Sequence, residues 1–343
     1  RGGSFAGIGV LAGSVPIRLR ERPVSGLYSP LPVCQASLTS MIPGDREGRA
    51  VTYTNESRTP QAAIASRRMA RRLLSGAGCA SLTAYRLDAD ASAQLVLHAL
   101  DVAGSIIVAA HPATDHPMAE VPCESPIEVR LDVALEAAEP GLRITTATVH
   151  LLGVLTWLDD IESDAVLSGS VAGCHCAITG EDPLTELAEL ASAPGGRLGV
   201  IETSRIMVHD AMGVSGHTME EVLDPEAKGV RPLLWSAFET FSAQEEVKAL
   251  GEGALEVLCD GVEQGSVPGI ICSRRPSDGL SASLWGRVLC VDVSPHTVTL
   301  LRLQRESTDT LQIFLPAGTT RAHEAGRQLR RLVQDALVGG LLP

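Results

Sequence analysis

The segment from Trp285 to Leu332 constrains the fold more than any other part of the chain. Two alternating apolar runs, Trp285 to Val293 and Thr297 to Leu303, are followed by a third, Thr310 to Leu315, which Pro316 closes. Alternation with period two puts successive side chains on opposite faces, so each run reads as a strand with one buried side. The charged stretch from Arg321 to Leu332 then reads as a helix. This strand–strand–strand–helix cassette specifies a small α+β unit.

The 343 residues are enough for two domains and a sizeable core. Aromatic residues are only 3% of the chain, so that core must come from Ala, Val, Leu and Ile. Residues 1–58, rich in Gly, Ser, Pro and Thr and without a sustained period, read as a flexible tail. Within them, Phe5 to Val15 reads as a poorly ordered leader rather than a signal-peptide core. Order is expected from Thr59-Pro60, with Ala62, Ala65, Met69 and Leu73 at helical spacing and Gly76 and Gly78 as terminators. Arg67, Arg68, Arg71 and Arg72 on this helix read as a solvated face.

Strands are expected over Cys79–Arg86, Gln94–Leu100, Ser105–Ala110 and Ile127–Leu135. Leu142–Leu158 reads as one bent strand or two, with Gly153 as a bulge or point of close approach. Short connections between these runs favour an antiparallel barrel or sandwich. Asp182–Leu190 reads as a helix capped by Asp182, Leu198–His209 as a strand, and Asp210–Gly213 as a turn. Thr218–Glu221 opens a capping box, and Phe238–Val262 reads as one helix. The expected organisation is a barrel domain over 59–222 and an α+β domain over 223–338.

A formal net charge of -13 argues against a broad nucleic-acid or anionic-membrane footprint. No apolar run is long enough to span a bilayer. Eight cysteines without a CxxC spacing point to a reducing, cytoplasmic setting. Cys174-His175-Cys176 offers too few ligands for a tetrahedral metal and reads as a loop or core thiol pair. His98, His150 and His209 lie in strand patterns and read as satisfied structural groups. Asp159-Asp160 reads as a helix cap. No G-x-S-x-G elbow supports hydrolase chemistry.

Two segments carry a family resemblance. One is Ser204-Arg-Ile-Met-Val-His-Asp-Ala-Met-Gly213 with Leu223-Asp-Pro225. The other is the cassette, through Arg287 to Asp292, Val298 to Leu303, Leu311 to Pro316 and Leu329 to Leu332. Together they resemble the haem-utilisation (HugZ-type) branch of the flavin-reductase-like split β-barrel proteins. The resemblance implies an α+β fold: an antiparallel split β-barrel of the FMN-binding type followed by a small α+β C-terminal domain. It further implies a homodimer that binds haem or FMN. The loop His111-Pro-Ala-Thr-Asp-His116 would lie near the ligand, with His111 or His116 ligating haem iron and Asp115 orienting a ring. The corresponding activity would be that of a haem-degrading or flavin-dependent oxidoreductase-like protein. The helix around Ser242 to Cys259 holds no histidine where relatives often carry two. That absence supports a second expectation, a cofactor-free dimeric scaffold or regulatory binding module.

Overall fold

Helix α1, Pro60–Leu74, opens the part of the chain that the computed structural model describes. The described residues are 60–88, 92–101, 103–139, 141–169, 183–223, 235–277, 280–316, 319 and 321–339. The tail expected over 1–58, Cys174-His175-Cys176 and the cap Asp182 lie outside them. Past α1, Gly76 (φ 106°) and Gly78 (φ 85°) take left-handed conformations that a side chain would resist. Ala70, Leu73 and Leu74 of α1 are buried with the interior of a barrel.

That barrel is built from β1 (Cys79–Thr83), β2 (Gln94–Leu100), β3 (Ile106–Ala110), β4 (Ile127–Glu136), β5 (Thr145–Trp157) and β6 (Arg197–Glu202). Every pairing is antiparallel, in the order β4-β1-β2-β3-β6-β5, and β4 closes on β5. Inward residues alternate along each strand. On β5 they are Ala147, Val149, Leu151, Leu155 and Trp157. Strands β7 (Arg205–Asp210) and β8 (Gly213–Thr218) form a hairpin that continues from β5. The expected α+β split barrel is therefore what the chain forms.

Strand β5 resolves the ambiguity of the long Thr/Val/Leu run: it is one strand with three partners. One edge pairs with β4 throughout. The other pairs first with β7, over Thr148–Leu151, and then with β6, over Val154–Trp157. Gly153 lies at the fork. A Cβ there would come within 2.6 Å of the Glu202 carbonyl oxygen and 2.7 Å of Ile201 Cγ2. The expected single strand Leu198–His209 is consequently two, broken at Thr203-Ser204. The Thr203 hydroxyl holds the crossing by donating to the Leu152 carbonyl at 2.8 Å.

Helix α2 (Asp160–Gly169) is capped as expected by its acidic start. Asp159 accepts from the Glu162 amide, and Glu162 accepts from the Asp159 amide. Helix α3 (Pro183–Ser192) packs Leu184 and Leu187 on the outer barrel residues Ala99, Ile107, Ala109 and Leu198. Thr218 and Glu221 make the expected capping box of the short α4 (Met219–Leu223).

The C-terminal layer is a four-stranded sheet in the order β10-β11-β12-β9, with β9 Gly269–Pro276, β10 Arg287–Val293, β11 Thr297–Leu303 and β12 Ser307–Phe314. Helices α5 (Ala237–Lys248), α6 (Glu252–Gln264) and α7 (Ala322–Gly339) cover one face. The single helix expected over 238–262 is two, because Gly251 takes φ 83° between them. Val288, Cys290, Val298, Leu300, Leu311 and Ile313 form the core beneath the helices. The β4–β5 connection docks the barrel on the other face, packing Ala137, Leu142 and Ile144 against Leu289, Val291 and Leu303. Lys248 adds a hydrogen bond to the Ala138 carbonyl and an ion pair with Glu139. Among the described residues, no helix is long and apolar enough to cross a membrane.

One ion-pair network is buried under α6. Arg302 and Asp309, on paired strands, meet at 2.9 Å, and Arg274 also reaches Asp309 at 2.9 Å. Burial opposes the Asp309 charge, but hydrogen bonds from Arg274 and Arg302 prevail and hold its carboxyl below the ordinary range. A carboxyl with a depressed folded-state pKa stabilises the fold above its unfolded pKa, and that contribution fades as pH falls. Urea denaturation should therefore show wild-type stability declining from about pH 4 downward, where an ordinary Asp begins to protonate. Asp309→Asn should cost about 3–5 kcal/mol at pH 7 and show a flatter acid decline. Equal pH dependence in the two proteins would contradict this assignment.

Candidate functional site

A sheet face that packs on protein is normally apolar. Part of the C-terminal sheet departs from this rule. Asp292, Thr299 and Gln312 stand side by side across β10, β11 and β12. They are only 4%, 5% and 8% exposed. The neighbouring cross-strand pairs on this face are Thr310 with Ser273 and Thr308 with Arg275. Strand alternation produces this stripe, since the intervening residues Val298, Leu300, Leu311 and Ile313 point to the helices.

Opposite this floor stand Ile64, Arg68, Met69 and Arg72 of α1, with Asp210 and Ala211 from the β7–β8 turn. Trp235, Thr240, Phe314 and Leu315 complete the apolar end. This half-open cavity measures about 730 Å³, within the range of roughly 300–1,000 Å³ typical of small-molecule sites. The turn is seated against β9 through Met212 and Cys272, whose sulfurs lie 3.6 Å apart.

The lining carries three arginines, Arg68, Arg72 and Arg275, against two aspartates, Asp210 and Asp292. This is a local excess of positive charge in a chain of net charge -13, and it favours an anion. Arg72 is paired with Asp292 at 2.7 Å, both largely buried. Arg71 donates to the Leu223 carbonyl at 2.9 Å. The expectation of a solvated arginine face is thus corrected: the α1 arginines meet the C-terminal sheet and the end of α4.

The loop residues singled out in the sequence lie elsewhere. His111 Nε2 is 2.7 Å from the Pro194 carbonyl oxygen. His116 caps the short 3₁₀ turn Pro117–Ala119, its Nδ1 accepting from the Met118 amide, while its Nε2 is 3.1 Å from the Ser92 carbonyl. Asp115 is exposed between them. None of the three lines the cavity, whose imidazole is His296 at the β10–β11 turn.

Of the strand histidines, His98 and His150 have hydrogen-bond partners. His98 donates to the Leu73 carbonyl at 2.6 Å, and burial pushes its pKa down. His150 meets Asp132 at 2.5 Å and packs edge-on against His209, with ring centroids 5.1 Å apart. Burial opposes the Asp132 charge, yet the hydrogen bonds from His150 and Arg130 hold its carboxyl low. Glu124, Asp159 and Glu162 bring carboxylate oxygens within 4.8 Å of one another. Two of the three, Asp159 and Glu162, also form the α2 cap.

Fold and site define an α+β split-barrel protein with an anion-favouring cavity between barrel and C-terminal sheet. No family model matches the chain, and no curated protein resembles it in sequence. Among solved structures it is similar to a heme binding protein from Mycobacterium smegmatis, at 14% identity over 80% of this chain and 98% of that one, with a TM-score of 0.44. A protein of unknown function from Agrobacterium tumefaciens matches at 14% identity over 81% and 98%, with a TM-score of 0.32. Superpositions this loose carry neither ligand nor reaction across, and the architecture rests on the strand pairing described above.

The Arg72–Asp292 pair makes the cavity wall testable. Arg72→Met strands a buried carboxylate and should cost about 3 kcal/mol in chemical denaturation. Arg72→Met/Asp292→Asn should recover more than half of that loss. A single variant as stable as wild type would contradict the pairing.

Proposed function

We propose that this protein binds a small molecule of the haem or flavin class in the cavity between α1 and the C-terminal sheet. The observation that carries the reading is the half-open cavity of about 730 Å³ with three arginines in its wall. Haem propionates or a flavin phosphate are anions that guanidinium groups bind well. The apolar side chains Ile64, Met69 and Phe314 suit a ring system. His296 is the wall's imidazole donor for a haem iron. Bound haem would supply a redox-active iron, and the protein would supply the donor and the pocket.

The His111–Asp115–His116 loop is the alternative iron-ligand set, and the family resemblance supports it. Both ring nitrogens of His116 already have partners, so His111 Nδ1 is the atom available there. Adding hemin to the purified protein and recording its absorption spectrum separates the sites. The cavity reading expects a Soret shift that survives His111→Ala/His116→Ala and is lost in His296→Ala. The opposite pattern assigns ligation to the loop. Absence of any shift, together with no binding of added FMN, would sink the ligand-binding reading.

The same proposal includes a homodimer formed through the outer face of β5, β7 and β8. Leu152, Met207 and Val214, on neighbouring strands, are 61%, 48% and 54% exposed, and a partner copy would bury them. This face would also serve the second reading, a cofactor-free dimeric scaffold. Light scattering at micromolar concentration should give twice the chain mass for wild type and a monomer for Leu152→Glu/Met207→Glu. A monomeric wild type would contradict it. Burial pushes the Cys259 and Cys272 thiols each up to about 12, which keeps them protonated and unreactive.

A further inference from the structure

We infer that His150 and His209 form half of a site for a divalent transition-metal ion of the zinc class, completed by the same pair from a second copy of the chain. The inference rests on the proposed homodimer and gives the shared face a chemical role.

Both histidines stand at the centre of that face. Val149 and Leu151 of β5 and Ile206 and Val208 of β7 are buried inward. Alternation therefore turns Thr148, His150 and Leu152 outward on β5, and Met207 and His209 outward on β7. His150 lies opposite Met207, Thr148 opposite His209, and His209 opposite Val214. The two imidazoles are thus diagonal neighbours, flanked by the exposed Leu152, Met207 and Val214. Beside Met207 on β8 stands Gly216, where an added Cβ would meet nothing within 4 Å.

The ring nitrogens suit a metal. His150 Nδ1 is 2.5 Å from Asp132 Oδ1. A carboxylate only accepts, so Nδ1 carries the proton and Nε2 keeps its lone pair. A carboxylate placed this way orients metal-ligating histidines and raises their basicity. Nε2 meets the Thr148 hydroxyl at 3.2 Å, a neutral donor that a metal ion would displace. His209 makes no side-chain hydrogen bond among the described residues and packs on His150. Burial, and then the neighbouring His150, push its pKa down, which favours the neutral ring that ligates. Zinc binds imidazole nitrogen at about 2.0–2.1 Å, which sets two ring centroids on one tetrahedral ion about 5 Å apart. The His150 and His209 centroids are 5.1 Å apart.

One chain supplies too few ligands. A closed zinc site takes four, and Asp132 is already engaged by His150 and Arg130. A two-fold axis through this face would bring the identical pair opposite. Four imidazole nitrogens then complete a tetrahedron, a donor set that suits zinc rather than the oxygen-seeking magnesium or calcium.

Calorimetric titration of the tag-free, EDTA-treated full chain with zinc chloride tests this, with light scattering on the same samples. Zinc should saturate at one ion per two chains, and magnesium should not bind. His150→Ala and His209→Ala should each weaken zinc about a hundredfold, and Asp132→Asn about tenfold. His111→Ala/His116→Ala should leave zinc binding unchanged. Cobalt in place of zinc should give the visible absorption of a tetrahedral ion. Saturation at one ion per chain, or binding indifferent to both His150→Ala and His209→Ala, would overturn the shared site. A metal-free dimer that binds no zinc would overturn it and leave the homodimer standing. A chain that is monomeric with and without zinc would overturn both. If a variant does not fold, the wild-type stoichiometry and the cobalt spectrum still decide.

Discussion

The close approach of two backbones at Gly153 is the constraint from which the rest of the molecule follows. β5 pairs with β4 along one edge but serves two successive partners on the other. The partner strands separate where Gly153 meets the Glu202 carbonyl, a spot with no room for a Cβ. Pairing with β6 past the fork closes the barrel. Pairing with β7 before the fork sends a hairpin out of it. The turn of that hairpin, through Asp210 and Ala211, is a wall of the cavity. Barrel closure and cavity formation are thus two consequences of one branched strand.

The second organising element is a sheet with two unlike faces. One face of the C-terminal sheet is apolar and sealed by helices. The other is apolar only where the β4–β5 connection lands, at Leu289, Val291 and Leu303. Beyond that patch its residues become Asp, Thr, Ser and Gln. Buried polar groups without partners oppose folding. Within this stripe Asp292 is answered by Arg72, and Gln312 Oε1 is the buried atom without a hydrogen-bond partner among the described residues. Arg72 joins the two themes, since it belongs to a helix whose apolar stripe packs with the barrel core and ends on Asp292 of the sheet.

The fold was legible where one period dominates. The cassette strands align with β10, β11 and β12, because Val298, Leu300, Leu311 and Ile313 alternate cleanly. The helix after Pro60 and the peculiarity of Gly153 were also readable. Two strands were not. β8 carries Gly213 and Gly216, and β9 ends in Arg274-Arg275-Pro276, so neither shows a strand's residue preferences. The break between α5 and α6 had a signal in Gly251-Glu-Gly253 that the helical pattern around it masked.

The candidate site was less legible for a geometric reason. Its walls come from residues near 64–72, 210–211 and 291–315, which only tertiary pairing brings together. Polar residues at 299, 308, 310 and 312 look in sequence like the wet side of an ordinary half-buried strand. That this side lines a cavity depends on where the barrel docks. The histidine-rich loop drew notice because its residue types are conspicuous, whereas arginines and threonines are not. Hydrogen–deuterium exchange with and without FMN tests the location of the site most directly. The account predicts added protection in α1 and across 297–314, with the 111–116 loop unchanged. Protection confined to 111–116, with α1 and the sheet unaffected, would contradict it.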